Sequence, residues 1–220
     1  MPRNDEQIKK EVVDQLYWDS RVDASHVQVE VSGGKVTLSG HVPDFISLQS
    51  SESDAWSIPG VFALNNQLTI KYPEEIELPS DEEIQNNIRS AYTWNPHIDE
   101  ADIKVTVNNH VVKLGGTVDS FWKKLKAEEI AFNLIGVVDV TNELGVVPTE
   151  DLVDQSISEE IMSALDRNIY VRPDNLEVKV ENGGVFVSGT VPSWRAYRET
   201  LDSVWYTPGV THVSDDITIK

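Results

Sequence analysis

The chain has 220 residues, of which 40% are hydrophobic and 25% charged, and it contains no cysteine. This composition is that of a globular protein, and it excludes disulfides, thiolate zinc sites and cysteine nucleophiles. With 37 acidic side chains against 18 basic ones, the formal net charge is −19, so repulsion from phosphate backbones argues against nucleic acid as a partner.

Three stretches of the chain repeat one another in the same register. Residues 27–42, 103–118 and 176–191 align without gaps, and so do the segments that begin at Asp5, Asp81 and Asp154. The offset between equivalent positions is 76 residues from the first copy to the second (27 to 103) and 73 from the second to the third (103 to 176). A fixed offset predicts one structural unit used three times. We place the units at residues 1–72, 81–147 and 154–220, joined by linkers at 73–80 and 148–153.

Each unit opens with a predicted amphipathic helix. In the first copy, Ile8, Val12 and Leu16 recur at helical spacing after Asp5, and aspartate is a favourable residue at a helix N-cap. Strict alternation of apolar and polar residues then predicts a β-hairpin across residues 27–42, with a glycine pair at its turn. The second and third copies keep both patterns.

The remainder of each unit is predicted to be a second helix followed by a third strand. In the first copy, apolar residues recur between Phe45 and Trp56, Gly60 follows, and a further apolar pattern runs from Val61 to Ile70. Each copy is therefore α-β-β-α-β, with two helices covering one face of a small three-stranded sheet. The predicted fold class is α+β, with three tandem modules.

Two sets of glycines recur at equivalent positions. The first set lies in the second strand, where either a close contact with a helix or the approach of a ligand explains a glycine: Gly40, Gly116 and Gly189. The second set follows the second helix, where a glycine accommodates a left-handed helix cap: Gly60, Gly136 and Gly209. We predict structural roles for both sets.

The repeated pattern resembles the BON domain, a module of bacterial osmotically inducible and envelope-associated proteins. The resemblance rests on the opening aspartate, on the hairpin that ends with the strand glycine and a valine two residues later, and on the Gly-Val pair after the second helix, in all three copies. It implies a non-catalytic binding module, associated with osmotic stress and transport, for which attachment to phospholipid or to the cell envelope has been proposed.

Nothing in the chain indicates an enzyme. The dinucleotide GxGxxG, the P-loop, the GxSxG elbow and the HExxH motif are all missing. The five histidines occupy non-equivalent positions without a recognisable ligand spacing, and the acidic runs lack the twelve-residue calcium loop. No pair of carboxylates recurs in the copies for general acid–base catalysis. We therefore predict no catalytic activity, no metal and no cofactor.

Two groups of side chains are candidates for contact with a partner. Trp18 and Trp94 end the first helices of copies one and two, where they are either exposed contact residues or packed between modules. The second group joins aromatic and basic residues near the start of the second helices: Trp122, Lys123, Lys124 and Lys126 in copy two, and Trp194, Arg195 and Arg198 in copy three. Their charges either bind phosphate head groups or only keep the helix soluble.

These observations support two hypotheses about function. The first is a non-enzymatic binding protein whose modules attach to phospholipid head groups or another envelope component during osmotic stress. The second is a cytoplasmic scaffold that binds a protein partner and has no lipid role, which the net charge of −19 favours.

The location follows from the segments that the sequence lacks. No stretch approaches the ~20 consecutive apolar residues that cross a bilayer, and the first residues do not contain the apolar segment of a signal peptide. As given, the sequence predicts a cytoplasmic protein that does not span a membrane. A periplasmic location is expected if the sequence is a trimmed mature form.

Overall fold

The computed structural model describes residues 3–150 and 152–220. Each copy has a helix, a hairpin preceded by a short 3-10 turn, a second helix and a third strand. The helices are α1 (Asp5–Trp18), α2 (Phe45–Ser57), α3 (Asp81–Trp94), α4 (Phe121–Phe132), α5 (Asp154–Asp166) and α6 (Trp194–Trp205). The strands are β1 (Val27–Ser32), β2 (Lys35–Val42), β3 (Ala63–Ile70), β4 (Ile103–Asn108), β5 (Val111–Val118), β6 (Asp139–Asn142), β7 (Gly145–Val146), β8 (Leu176–Glu181), β9 (Gly184–Val191) and β10 (His212–Ile219). The predicted α+β class and α-β-β-α-β order are confirmed.

The sheet of each copy is mixed. In copy one, β2 is central: β1 pairs with it antiparallel, from Val27 opposite Gly40 to Ser32 opposite Lys35, and β3 pairs with it in parallel. Copy three repeats this arrangement around β9. In copy two the third strand is interrupted, so that β6 and then the short β7 both lie beside β5. The parallel pair requires a crossover connection, which the second helix of each copy provides.

Apolar residues from the helices and from one face of the sheet form the cores. In copy one, Val12 of α1 packs with Val36 and Leu38 of β2, and all three are fully buried. In copy three, Ile161 of α5 and Val187 of β9 occupy the same places. The chain divides into two compact units: one contains the chain up to residue 86 together with residues 107–112 and 131–140, and the other contains the rest.

Neighbouring copies contact one another inside these two units. In the first unit, the ring of Phe45 at the start of α2 stacks on that of Phe132 at the end of α4, with centroids 4.5 Å apart. The hydroxyl of Tyr72, the last residue of copy one, donates a hydrogen bond of 3.2 Å to the carbonyl of Val137. In the second unit, Phe121 of copy two is buried in the core of copy three. Within each unit, residues of consecutive copies therefore pack together.

The aspartate that opens each first helix is not the N-cap that we predicted. In α1 the cap is Asn4, whose side chain accepts a hydrogen bond of 2.8 Å from the backbone N–H of Gln7. Before α3, Ser80 and Glu83 bond reciprocally, as in a capping box. The aspartate lies one residue further on, in the first helical turn. Its carboxylate is therefore available for a different partner.

That partner is the turn of the hairpin. Each carboxylate accepts hydrogen bonds from two consecutive backbone N–H groups: Asp5 from Gly33 (2.8 Å) and Gly34 (3.1 Å), Asp81 from Asn109 (2.8 Å) and His110 (2.9 Å), and Asp154 from Asn182 (2.8 Å) and Gly183 (2.9 Å). The N–H groups of His110 and Asn109 hold the pKa of Asp81 below its ordinary value. We call this contact the helix–hairpin tie, because it fastens the start of the helix to the end of the sheet.

Removing one tie is expected to destabilise its module. The substitution Asp154→Ala leaves the N–H groups of Asn182 and Gly183 without their charged acceptor, and hydrogen bonds to charged groups contribute ~1.5–3 kcal/mol. We expect the free energy of unfolding of copy three, measured by urea denaturation, to fall by about 1–3 kcal/mol. The control Asp166→Ala removes an exposed carboxylate from the other end of α5 and should change it by ~0.5 kcal/mol or less. Equal stability of the two variants contradicts a stabilising tie.

The glycines after the second helix lie in a turn and not in a helix cap. Gly60, Gly136 and Gly209 have positive φ, but the helices end three or four residues earlier. A hydrogen bond of 3.2 Å from the N–H of Val61 to the carbonyl of Ile58 closes the turn in copy one. Positive φ at the third residue of a four-residue turn is typical of type II. The left-handed conformation that we predicted is therefore present, and the helix cap is wrong.

The strand glycines face a backbone carbonyl and not a helix. A Cβ atom would lie 2.0–2.1 Å from a carbonyl oxygen of the 3-10 turn in each copy: His26 for Gly40, Asp102 for Gly116 and Asn175 for Gly189. Real Cβ atoms do not approach an oxygen so closely, and the three glycines also have positive φ. The predicted contact between helix and strand is wrong, and the nearby carbonyl explains the glycine.

Candidate contact surfaces

Trp18 and Trp94 lie at equivalent positions in the last turns of α1 and α3, and both are exposed. Their side chains are 79% and 86% accessible to solvent. The helix geometry accounts for this, because the inward residue Leu16 precedes Trp18 by two positions, about 200° around the helix. Tyr92 stands in the same relation to Trp94 and is fully buried. Neither tryptophan is therefore used to pack its own module.

Copy three has a different surface at this corner. Arg167 replaces the tryptophan, and the exposed apolar residue there is Ile169, at 86%. The ring of Tyr170 lies 4.1 Å from the guanidinium carbon of Arg195, in a cation–π contact. The predicted contact residue Arg195 is thus held against its own module.

The three lysines of α4 all have partners within the protein. The Lys123 ammonium donates to Asp119 at 2.6 Å and lies 5.8 Å from the centre of the Trp122 ring. Lys124 donates to the carbonyl of Leu144 at 2.8 Å. Lys126 pairs with Glu129 at 2.9 Å. Hydrogen bonding to Lys123 also lowers the pKa of Asp119. Two of the three positive charges are therefore balanced locally.

The aromatic residues near the starts of α4 and α6, the second helices of copies two and three, form ring contacts. The edge of His97 meets Trp122, with the centroids 5.5 Å apart. In copy three, Trp194 stacks on Tyr197 at 4.8 Å. Arg198, the next residue after Tyr197, is exposed. Burial raises the pKa of Asp202, and the positive charge of Arg198 opposes this rise. Each of the predicted groups is thus a cluster of side chains on its own helix and the adjoining loop.

A pair of histidines that we did not predict lies in copy one. The rings of His26 and His41 stack with their centroids 4.4 Å apart, at the edge of a cleft of about 270 Å³ that Lys71 and Tyr72 also line. The hairpin register carried the signal, because Val27 lies opposite Gly40 and the next pair outward is His26 and His41. The described residues contain no cluster of three His, Asp or Glu side chains suited to a metal ion.

A second cleft lies at the equivalent place in copy two. It measures about 330 Å³, and neither stacked histidine of copy one has a histidine at its equivalent position: Asp102 replaces His26 and Thr117 replaces His41, with Asp99 and Asp119 beside them. The two clefts share their backbone frame but not their chemistry. They therefore do not define one ligand that both copies would bind.

The fold and these surfaces define a class of protein, an array of small α+β modules, two of which expose a tryptophan at the end of the first helix. The BON domain family matches residues 4–72, 80–148 and 153–220. The chain belongs to this family, in three tandem copies. Among the described residues, none of the helices is long and apolar enough to cross a bilayer.

Two curated proteins share part of this sequence. The chain is 27% identical over 147 residues to the osmotically-inducible protein Y of Escherichia coli K12, covering 64% of this chain and 73% of that protein. It is 28% identical over 125 residues to an uncharacterized protein of the gshII 5′ region in Anaplasma centrale, covering 54% and 83%. A solved structure of CdsD, a structural protein of the type III secretion system of Chlamydia trachomatis, aligns with 97% of this chain and 92% of its own, at 10% identity and a TM-score of 0.28.

Proposed function

We propose that this protein is a non-enzymatic binding protein that attaches to phospholipid, and that Trp18 and Trp94 are its main contact residues. The observation that carries the proposal is the exposure of two large aromatic side chains at equivalent module positions. Exposed tryptophan is typical of surfaces that meet a membrane interface, because its ring is apolar and its N–H can still bond to water or head groups. The similarity to an osmotically inducible protein supports a role in osmotic stress.

The contact is expected to depend more on the aromatic rings than on charge. A tryptophan buries 150–250 Å² when fully covered, which at ~25 cal/mol per Å² stabilises binding by up to about 4–6 kcal/mol. A basic residue near an anionic surface contributes only ~1 kcal/mol. Because Asp119 and Glu129 balance two of the three lysines in copy two, their contribution is smaller still. The net charge of −19 opposes it further.

Sedimentation with vesicles of phosphatidylglycerol and phosphatidylethanolamine tests the proposal. We expect the double variant Trp18→Ala, Trp94→Ala to bind at least tenfold more weakly than the native chain, since two apolar anchors are lost. The control Tyr206→Ala removes another exposed aromatic side chain, at the end of α6, and should bind as the native chain does. Circular dichroism should show all three proteins folded.

The lysine surface is tested in the same assay. Replacing Lys123, Lys124 and Lys126 by glutamine is expected to weaken binding only a few-fold. A larger loss than in the tryptophan variant would show that the main contact lies on α4. Failure of the native chain to bind at low salt, where attraction is least screened, contradicts the phospholipid proposal.

In that case a protein scaffold is the better proposal. The specific observation that favours it is the pairing of the basic side chains, which leaves little positive charge for a phosphate group. The exposed tryptophans would then contact a protein. The two proposals also imply different compartments, the cytoplasm for a scaffold and the periplasm for an envelope protein, which cell fractionation distinguishes.

A further inference from the structure

A buried cluster of polar residues distinguishes copy one from the other two copies. It lies where α1 packs on α2, and it includes five of the six buried polar residues among those that the structure describes: Asp19, Ser47, Ser50, Ser51 and Asp54. The sixth, Thr200, is in copy three. An interface of this kind is unusual, because buried polar groups cost free energy unless they are hydrogen-bonded.

Two carboxyl groups stand at the centre of this cluster. Asp54, on α2, is only 5% exposed, and its Oδ1 accepts a hydrogen bond of 3.0 Å from the side chain of Gln15 on α1. Its Oδ2 is enclosed and has no hydrogen-bond partner among the described residues. Asp19, which follows the last residue of α1, is 7% exposed, and the guanidinium of Arg21 donates to both of its oxygens, to Oδ1 at 3.0 Å and to Oδ2 at 2.6 Å.

The surroundings shift the pKa values of the two carboxyl groups in opposite directions. The hydrogen bonds from Arg21 lower the pKa of Asp19 to about 2. Burial raises the pKa of Asp54, and the negative charge of Asp19 beside it adds to the rise, against the opposing hydrogen bond from Gln15 and the charge of Arg21. Of the two carboxyl groups, Asp54 is therefore the one that takes up a proton first as the pH falls.

Both β2 and β3 also pack against α2. β3 carries no ionisable side chain, and Lys35 and His41 of β2 are not among the groups that shift the pKa of Asp54. Asn66 of β3 is neutral, and its side chain binds Glu52 of α2 at 3.4 Å. The charged groups that act on Asp54 are thus Asp19 and Arg21. Both belong to the end of α1 and the loop that follows it. A change in the charge of Asp54 therefore acts on the contact between α1 and α2.

The pair occurs in copy one alone. The position of Asp54 is Ile130 in copy two and Ser203 in copy three, and that of Asp19 is Asn95 and Asn168. None of these four side chains can ionise near neutral pH. The other two copies thus keep the same helix contact without a titrating group, which indicates that the fold does not require one.

We propose that Asp54 is a proton-operated switch: with a proton it donates a hydrogen bond to Asp19 and holds α1 against α2, and without one it loosens copy one. A group whose pKa is raised by folding stabilises the folded state most below its unfolded pKa of ~3.9, and this stabilisation is lost as the pH rises through the folded pKa. Asp19 acts in the opposite direction, but only as the pH falls from ~3.9 towards 2. Above pH ~4, therefore, Asp54 is the member of this pair that sets the response.

Hydrogen exchange of the full chain, measured at pH values from ~4 upward, tests the switch. After correction for the intrinsic rate, the opening equilibrium of peptides from α1 and α2 should increase with pH, by at most tenfold per pH unit because one proton is involved. Peptides from α5, in copy three, should not show this increase. In Asp54→Asn the amide can still donate to Asp19 at any pH, so the increase should disappear.

A matched control is available in copy three. Asp202 is a partly buried helix carboxyl whose pKa is also raised by burial, and Asp202→Asn should leave the response of α1 and α2 unchanged. The ¹³Cγ chemical shift of Asp54 in the native chain gives its pKa directly, and this measurement remains decisive if Asp54→Asn fails to fold. A pKa at or below ~3.9, or the same pH response in the native chain and in Asp54→Asn, overturns the proposal. The switch does not depend on lipid attachment.

Discussion

Replacing Gly116 by alanine is expected to destabilise the protein by about 2–5 kcal/mol, whereas the same replacement at its neighbour Gly115 should be neutral or slightly favourable. A Cβ at Gly116 would lie 2.1 Å from the carbonyl oxygen of Asp102, and the residue has a positive φ. The oxygen belongs to a backbone that cannot move without disturbing the 3-10 turn. At Gly115 no atom lies within 4 Å of the added carbon.

Thermal denaturation of the two variants measures this difference. Because the glycines are adjacent in β5 and both become alanine, composition and strand propensity are matched. The melting temperature should decrease clearly for Gly116→Ala and stay within a few degrees of the native value for Gly115→Ala. If both variants melt together, the carbonyl contact does not constrain the position.

The second large effect is expected at Val187 in the core of copy three. This side chain is fully buried between β9 and the helices, and Val187→Asp would place a carboxylate there without a partner. Burying an unpaired charge costs several kcal/mol, which is a large part of the ~5–15 kcal/mol by which small domains are stable. We therefore expect copy three to unfold, with the loss of hydrogen-exchange protection confined mainly to residues 154–220.

The control places the same residue on the other face of the sheet. Thr218 in β10 is exposed, and Thr218→Asp should leave the exchange of copy three close to native. Because Phe121 of copy two is buried in this core, some loss of protection in α4 should accompany Val187→Asp. Native protection throughout residues 154–220 in Val187→Asp would show that the side chain does not face the core.

The fold could be predicted because each of its elements leaves a local pattern that appears three times. Helical spacing at Ile8, Val12 and Leu16 and alternation in residues 27–42 were sufficient for α1 and the hairpin, and the constant offset excluded chance. The role of Asp5 was not predictable in this way. Its carboxylate bonds to Gly33 and Gly34, and a contact between residues 28 positions apart has no periodic signature.

The sequence predicted which residue types form the candidate surfaces, but not the partners that those side chains contact. The bias of copy two towards lysine is visible in the sequence, but the partners of Lys124 and Lys126 depend on which carbonyl and which carboxylate the folded chain brings near. The proximity of Asp19 and Asp54 was not predictable either, because Asp19 follows α1 and Asp54 lies on α2. Only the stacking of His26 on His41 could have been predicted, because the hairpin register already places these residues opposite each other.

The helix–hairpin tie has a consequence for how such arrays change length. In every copy it closes a loop of the same span, from Asp5 to Gly33, from Asp81 to Asn109 and from Asp154 to Asn182. An inserted or deleted residue in a strand of that loop would shift the pairing and turn apolar side chains outward. The loop accordingly has the same length in all three copies, whereas the offset between copies differs, 76 residues against 73. A duplicated gene segment that encodes one whole loop also encodes its own helix–hairpin tie. The array can therefore gain a module without changes to this contact in the other copies.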